Sequence, residues 1–202
     1  YQDLFLLPDP STLNILPWRP QQGRVVRFYC DVVLADGTPY PYDARKFLRD
    51  ALVECSEMGF ACRMGLKSGY FDISPLDRGE NIRREICLCL EEMGIQPESS
   101  HHENGPGQNE IDFRAADAMS TADNFITYKN VVSAISERNG VYASFAPKPI
   151  RGKSGNGLHM KVSLFRKGVN LEEVDPQMSK SFMAGVFNRM RDITLFLNPQ
   201  VE

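Results

Sequence analysis

The sequence predicts an α+β fold in which an antiparallel sheet is flanked by helices. Segments with the 3.6-residue apolar spacing of amphipathic helices lie between short segments rich in β-branched and aromatic residues. Several strand candidates are joined by connections of the hairpin type, and the Gly-rich fingerprint of a parallel βαβ unit is absent. At 202 residues the chain can bury a substantial core and suits one domain, or one large piece of a domain.

Four segments are predicted to be helices because their apolar residues recur every three or four positions. The first follows Asp43, a suitable N-cap, and its apolar stripe, which includes Phe47, should cover one face of the sheet. The second ends at Gly94 and carries Cys89 on its apolar stripe, so this thiol is assigned to packing. The predicted helices are 44–58, 80–93, 116–138 and 178–197.

The predicted strands are short. Along one of them Glu110 and Asp112 alternate with Ile111 and Phe113, so the acids should face one side of the sheet and the apolar residues the core. The proline-rich stretch before the first predicted strand should be extended and ordered, anchored by burial of Trp18. The predicted strands are 24–34, 95–100, 110–113, 141–145 and 158–165.

Composition excludes several classes of function. The net charge is -3 and the lysines and arginines are scattered among acids, so there is no basic stripe for a nucleic acid. Five cysteines without a CxxC pair indicate neither a disulfide framework nor a zinc site. No apolar run approaches the roughly twenty residues that a membrane helix needs. We therefore expect a soluble, cytoplasmic protein that binds neither nucleic acid nor membrane.

The segment His101–Glu110 is the most informative stretch of the chain. It places two of the three histidines and two glutamates around a Gly-Pro-Gly turn. Such a turn can bring Glu103 and Glu110 to a common point, an oxygen-rich arrangement that hard cations such as Mg²⁺ or Mn²⁺ favour. A polar surface hairpin with solvated acids is the alternative.

A second candidate is the loop Lys148–His159, which contains three glycines and several cationic residues. Glycines let backbone approach a ligand closely, and the cations offer charge to phosphate or carboxylate. The alternatives are a mobile connection between strands and, for His159, a purely structural histidine.

Taken together, the two motifs resemble the catalytic domain of the glutamine synthetase family. Further segments fit the same family in order and spacing along residues 1–202. They are LPDPST at 7–12, LPW at 16–18, DVVLADGTP at 31–39, GYFD at 69–72, ADN at 122–124, SFAPKP at 144–149 and GNGLH at 155–159. The resemblance implies a partial catalytic domain with that family's curved antiparallel sheet flanked by helices, preceded by a leading segment at 1–22.

The resemblance also implies roles for individual residues. It makes Glu103 and Glu110 ligands of a metal that contacts glutamate and ammonia, and His159 a ligand of a second metal at the nucleotide phosphates. The residues that it places at the ATP are Glu98, His101 and Ser163, and it places Gly155 at the amino-acid substrate through its backbone.

The reaction of this family explains these roles. ATP phosphorylates the side-chain carboxylate of glutamate, and ammonia displaces phosphate from the resulting γ-glutamyl phosphate. The resemblance thus implies a ligase that uses glutamate, ammonia and ATP with Mg²⁺ or Mn²⁺. The family's active sites lie between subunits of large rings, each completed by a small N-terminal domain, so a homo-oligomer is implied for the full-length protein.

The chain also departs from the family pattern. The family's Glu-x-Glu strand, which supplies a carboxylate to each metal, is absent, because residues 62–68 run almost directly into Gly69 and Tyr70. The arginine-bearing segment that follows in the family is absent too. Lys161 and Ser154 stand where a second histidine and an asparagine are usual, and a lysine cannot act as a neutral imidazole ligand. We assign no catalytic residue and expect this chain to be inactive alone.

Two explanations of the missing parts stay open. Either the chain is a fragment with a true deletion, or disordered segments are omitted and residues near 64–70 are joined that are not neighbours. Two further functions are alternatives to glutamine synthesis. One is a ligase that couples glutamate to an organic amine such as a polyamine, and the other is a non-catalytic homologue that binds nucleotide.

Overall fold

A computed structural model describes residues 3–18, 24–72 and 79–198, with the backbone alone described at 67–72 and at Leu195. The strands are β1 (Leu4–Pro8), β2 (Asn14–Ile15), β3 (Val26–Arg27), β4 (Cys30–Leu34), β5 (Ala61–Asp72), β6 (Pro97–His102), β7 (Gln108–Phe113), β8 (Ala116–Asp117), β9 (Ala143–Ser144), β10 (Leu158–Arg166) and β11 (Val169–Asn170). The α-helices are α1 (Ala44–Glu57), α2 (Gly79–Glu92), α3 (Ala118–Arg138), α4 (Leu171–Val174), α5 (Pro176–Asn188) and α6 (Met190–Leu197). None of these helices is long and apolar enough to span a membrane.

The main sheet has seven strands among the described residues and confirms the predicted mixture of helices with antiparallel strands. Its order is β11-β10-β5-β7-β6, and β8 and β9 also pair with β5. Each of these pairs is antiparallel. Two small sheets, β1 with β4 and β2 with β3, share no paired strand with the main sheet. The long strand β5 is therefore the centre of the fold.

The two faces of the main sheet differ in chemistry. On β7, Ile111 and Phe113 are 0% and 3% exposed and belong to the hydrophobic core that α2 and α3 complete. Because side chains alternate along a strand, Glu110 and Asp112 point to the opposite face. His101 of β6 pairs with Glu110 and shares that face. We call it the polar face.

Helix α2 forms as its sequence predicts. Ile82, Ile86, Leu90 and Met93 are all buried in the core, which supports the predicted stripe. Gly94 ends the helix with φ 80°, a left-handed conformation that favours glycine. The tryptophan prediction is confirmed as well, because Trp18 is partly buried against the same core.

Burial of Cys89 on α2 predicts a loss of stability at alkaline pH. Burial raises the pKa of this thiol from 9.0 to about 11, and the side chain is 8% exposed. Above pH 9 the unfolded thiol loses its proton while the folded thiol keeps it. The free energy of unfolding then falls by about 1.4 kcal/mol per pH unit until the folded thiol ionises. We expect urea denaturation of Cys89→Ala to show a shallower decline above pH 9 than the unsubstituted chain. Parallel declines would contradict this assignment.

Two predicted elements are corrected by the structure, and one strand was not predicted. No strand was expected at 61–72, where the structure has β5, whose pairing with both β10 and β7 outweighs its glycines and lack of alternation. The single strand predicted at 24–34 is interrupted, because the backbone N–H of Tyr29 donates to the side chain of Thr12 at 2.8 Å instead of to a strand. The helix predicted at 178–197 is two helices that meet at Arg189.

Helix α1 packs against β5, but the apolar stripe predicted for it is only partly buried. Phe47 is 76% exposed, and no residue of α1 falls in the buried class. The N-cap prediction is confirmed, because the Asp43 side chain accepts from the backbone N–H of Arg45. Ion pairs also anchor the helix.

These ion pairs form a group that we call the Arg45 cluster: Arg45 and Arg49 of α1 with Asp9, Asp31 and Asp123. The Arg45 guanidinium lies 2.6 Å from Asp123 of α3, and 3.3 Å from both Asp9 and Asp31. The hydrogen bond with Asp123 is the main cause that raises the pKa of Arg45. Hydrogen bonds from Arg49 hold the pKa of Asp31 below its ordinary value. The cluster ties α1 to α3 and to the small β1–β4 sheet.

Candidate metal centre and adjoining cavity

The β6–β7 hairpin carries the candidate metal ligands. Strand pairing places His101 opposite Glu110, and beyond the strands the backbone N–H of Glu103 donates to the Gln108 carbonyl at 2.8 Å. Gly107 adopts φ 65° in the turn, so glycine is favoured there. The turn brings the two glutamates together, as expected from the Gly-Pro-Gly sequence.

His101, Glu103 and Glu110 converge so that one ligand atom from each lies within 4.8 Å of the others. Nε2 of His101 is 2.8 Å from Oε1 of Glu103 and 3.6 Å from Oε1 of Glu110. Ligands of one octahedral ion at about 2.1 Å are about 3 Å apart when adjacent and about 4 Å apart when opposite. The three side chains therefore fit one small divalent cation. Within the described ranges, this is the one group of three such residues.

The three side chains of this group differ in their exposure to solvent. The side chain of Glu110 is 17% exposed, that of Glu103 28% and that of His101 45%. The resemblance places His101 at the nucleotide, whereas the structure sets it beside the two carboxylates. Its higher exposure places it at the solvent side of the group.

His159 lies on a different strand from this group. It stands on β10 opposite Lys67 of β5, and Lys67 in turn stands opposite Asp112 of β7. It is not one of the three converging residues. Gly157 leaves room for its imidazole, since a Cβ at Gly157 would lie 3.2 Å from Nε2 of His159. The two predicted metal positions are thus separated by strand β5.

A cavity of about 360 Å³ lies on the same sheet and is lined by Asp112, two positions along β7 from Glu110. Glu98 and Ser163, both predicted at the nucleotide, line it together. Three other lining residues, Arg63, Asp112 and Arg114, were not predicted as ligands. The alternation that places Asp112 two positions from Glu110 was the available signal for one of them. No sequence pattern indicated the two arginines, because strand pairing decides which residues lie beside them in the sheet.

Lys161 lines the same cavity, and few side chains surround its ammonium group. Its partner across the strand pair is Gly65, which has no side chain to cover it. Lys161 makes no hydrogen bond or ion pair with any described side chain. By contrast, Asp112 accepts a hydrogen bond of 2.6 Å from the Ser99 hydroxyl. The cavity therefore contains an ammonium group that forms no ion pair with a described side chain and could donate to a ligand.

The Gly-rich loop packs against the metal-ligand hairpin. The Gln108 side chain donates to the carbonyl of Gly155 at 3.0 Å. A Cβ at Gly155 would lie 2.6 Å from the carbonyl oxygen of Pro147, so only glycine fits there without displacing the loop. The predicted substrate residue is thus held beside the hairpin by its backbone.

Comparison with known proteins identifies the family of this chain. A family model described as "Glutamine synthetase, catalytic domain" matches residues 43–202. Proteins named glutamine synthetase from Clostridium saccharobutylicum and Methanosarcina mazei are 42% and 41% identical to the chain, with 99% of it and 51% of each relative covered. The chain spans about half the length of the curated relatives it matches. The alignments run over 227 positions, more than the 202 residues here, so each relative has positions without a counterpart.

Solved structures share the fold. One described as a GmaS/ADP complex superposes with a TM-score of 0.89 at 29% identity, covering 98% of this chain and 52% of that one. A cryo-EM structure of Plasmodium falciparum glutamine synthetase gives a TM-score of 0.89 at 20% identity, covering 98% of this chain and 49% of that one, which shows the fold alone. From the matched family model, the identities and the shared architecture, the chain belongs to the glutamine synthetase family.

Proposed function

We propose that this chain forms the cation-binding and ATP-binding part of a glutamine synthetase-type ligase. The convergence of His101, Glu103 and Glu110, on a sheet whose cavity is lined by Glu98 and Ser163, carries the proposal. The full-length protein would amidate glutamate with ammonia through γ-glutamyl phosphate, and we propose that it acts in the cytoplasm as a homo-oligomer. The names of the curated relatives support the reaction class.

Glu103 and Glu110 are the proposed ligands of one Mg²⁺ or Mn²⁺, and His159 is the proposed ligand of a second. When bound, such cations neutralise the oxygens of the transferring phosphoryl group. The hairpin contributes position, because its register fixes Glu110 opposite His101. The backbone of Gly155 is proposed to meet the amino-acid substrate. No Asp or Glu stands between Glu57 and Asp72, so β5 adds no carboxylate from its first eleven residues, and we expect the chain alone to have no ligase activity.

Lys161 lines the cavity at a position where the family resemblance leads us to expect a second histidine. A protonated lysine cannot bind a cation, but its ammonium can donate charge-assisted hydrogen bonds to phosphate oxygens. Its position beside Ser163 and Arg63 supports a contact with the nucleotide. We therefore propose that Lys161 binds an anionic part of ATP.

Binding of ATP to the 202-residue chain should depend on Mn²⁺ and on Lys161. We expect calorimetry to detect ATP binding with Mn²⁺ and little without it. We expect Lys161→Met to weaken that binding by about tenfold, the lower end for a lost charged hydrogen bond. Lys180→Met, which changes an exposed lysine of α5, is the matched control. Binding that ignores Mn²⁺, or equal effects of the two variants, would contradict the proposed site.

The reaction itself is tested in the full-length protein. With glutamate and ATP present, phosphate release should require ammonia, because the γ-glutamyl phosphate is consumed by that acceptor. Release that responds to polyamines but not to ammonia would show an amine ligase instead.

A further inference from the structure

The Gln108 side chain joins the two motifs of the candidate site. It is 4% exposed, although an amide is polar. Its Oε1 accepts from the backbone N–H of Gly105 at 2.9 Å, within the turn between Glu103 and Glu110. Its Nε2 donates to the carbonyl of Gly155 at 3.0 Å and lies 3.3 Å from Oδ1 of Asn156. One buried amide therefore contacts the metal-ligand turn with one end and the Gly-rich loop with the other.

Asn156 carries the contact further into the loop. Its side-chain amide donates to the carbonyls of Ala146 at 2.9 Å and Ser144 at 3.3 Å. Its backbone N–H donates to the carbonyl of Pro147 at 2.7 Å. These bonds fix the orientation of the Asn156 amide, so Oδ1 must face Gln108. The loop 147–157 is thus held to the hairpin at a few defined polar contacts.

We infer that Gln108 is a positioning residue that couples occupancy of the metal-ligand group to the order of the Gly-rich loop. This rests on the proposed function, since it assumes that a cation binds Glu103 and Glu110. A cation that orders the turn would stabilise the hydrogen bond from Gly105 to Oε1 of Gln108. This holds the Gln108 amide in place, so its hydrogen bond to the Gly155 carbonyl is strengthened. By thermodynamic linkage, a ligand that orders the loop raises the affinity of the turn for the cation.

Two substitutions separate the two ends of Gln108. Gln108→Glu retains an oxygen that can accept from Gly105 but replaces the donor by an oxygen facing the Gly155 carbonyl. Gln108→Met is uncharged and removes both contacts. Asn104→Ala is the control, because Asn104 is an exposed residue of the same turn and its side chain makes no hydrogen bond with described residues.

Amide hydrogen exchange of the 202-residue chain, read at Asn156 by NMR, tests the coupling. Exchange in the metal-free Gln108→Glu and Gln108→Met chains should be about tenfold faster than in the unsubstituted chain, the factor for one lost hydrogen bond. A diamagnetic cation is needed for the loaded state, and Mg²⁺ is the probe. Saturating Mg²⁺ should slow Asn156 exchange about tenfold in the unsubstituted and Asn104→Ala chains, and leave both Gln108 variants nearly unchanged.

The outcomes distinguish this inference from the proposed function. If Mg²⁺ binds but Asn156 exchange stays the same, the coupling is refuted and the cation site stands. If the Gln108 variants still gain protection on Mg²⁺ binding, Gln108 has a merely structural role and the inference is wrong. If no divalent cation binds the unsubstituted chain, the proposed function fails, and the coupling is refuted with it. The metal-free comparison still shows whether Gln108 fastens the loop.

Discussion

Replacing Arg45 by methionine is expected to lower the free energy of unfolding by about 3 kcal/mol, the cost of breaking a largely buried ion pair. The side chains of Arg45 and Asp123 are only 13% and 14% exposed, so water screens their interaction weakly. Removal of Arg45 leaves the Asp123 carboxylate without this partner inside the fold. Urea denaturation at neutral pH measures the change.

Lys46→Met supplies the matched control on the same helix. Lys46 pairs with Asp50 one turn later, at the surface, where such pairs contribute about 0.3–0.5 kcal/mol. If Arg45→Met costs no more than Lys46→Met, the Arg45 cluster does not hold the N-terminal part to α3.

The stability of Arg45→Met at low pH provides a second test. Arg49, and to a smaller extent Arg45, lower the pKa of Asp31 in the folded state. A carboxyl with a lowered pKa contributes stability above its unfolded pKa and loses it as the pH falls through the folded one. The stability of Arg45→Met should therefore fall less steeply below pH 4 than that of the unsubstituted chain.

Replacing Glu110 by glutamine is expected to weaken Mn²⁺ binding by at least about 100-fold. Even residues that only support metal ligands cost 10- to 100-fold when they are changed, and Glu110 would lose a direct, anionic ligand. Glu110 is the least exposed of the three converging residues, at 17% of its side chain. Glutamine has nearly the same shape, so the change removes charge without opening a cavity.

Electron paramagnetic resonance of free Mn²⁺ in the presence of the chain measures the affinity. Glu103→Gln should act in the same direction, and Glu91→Gln, at an exposed position of α2, should leave the affinity unchanged. Equal Mn²⁺ binding by Glu110→Gln and Glu91→Gln would remove the basis of the candidate metal centre. Intact far-UV circular dichroism separates ligand loss from unfolding.

Local sequence predicts the elements whose stabilising interactions are themselves local. Helix α2 follows from its apolar stripe and from Gly94, and both are visible within one stretch of chain. The metal-ligand turn follows from Gly-Pro-Gly before a strand that alternates acids with apolar residues. These features need no distant partner to be recognised.

Elements stabilised by distant residues are where prediction failed. Strand β5 lacks alternation, and its place at the centre of the sheet depends on hydrogen bonds to β7 and β10, which lie tens of residues away. The mode of docking of α1 was also missed, because Arg45 finds Asp9, Asp31 and Asp123 only in the folded chain. Charge pairing between such positions leaves no periodic signal.

The sequence by itself determined the family resemblance, the antiparallel α+β architecture and the two glutamates that a Gly-Pro-Gly turn brings together. Only the tertiary structure decided that His101 joins them, that Lys161 faces a cavity opposite Gly65, and that Gln108 links the hairpin to the Gly-rich loop. The reason is physical. Strand register and burial choose which side chains meet across a sheet, and both are properties of the packed chain.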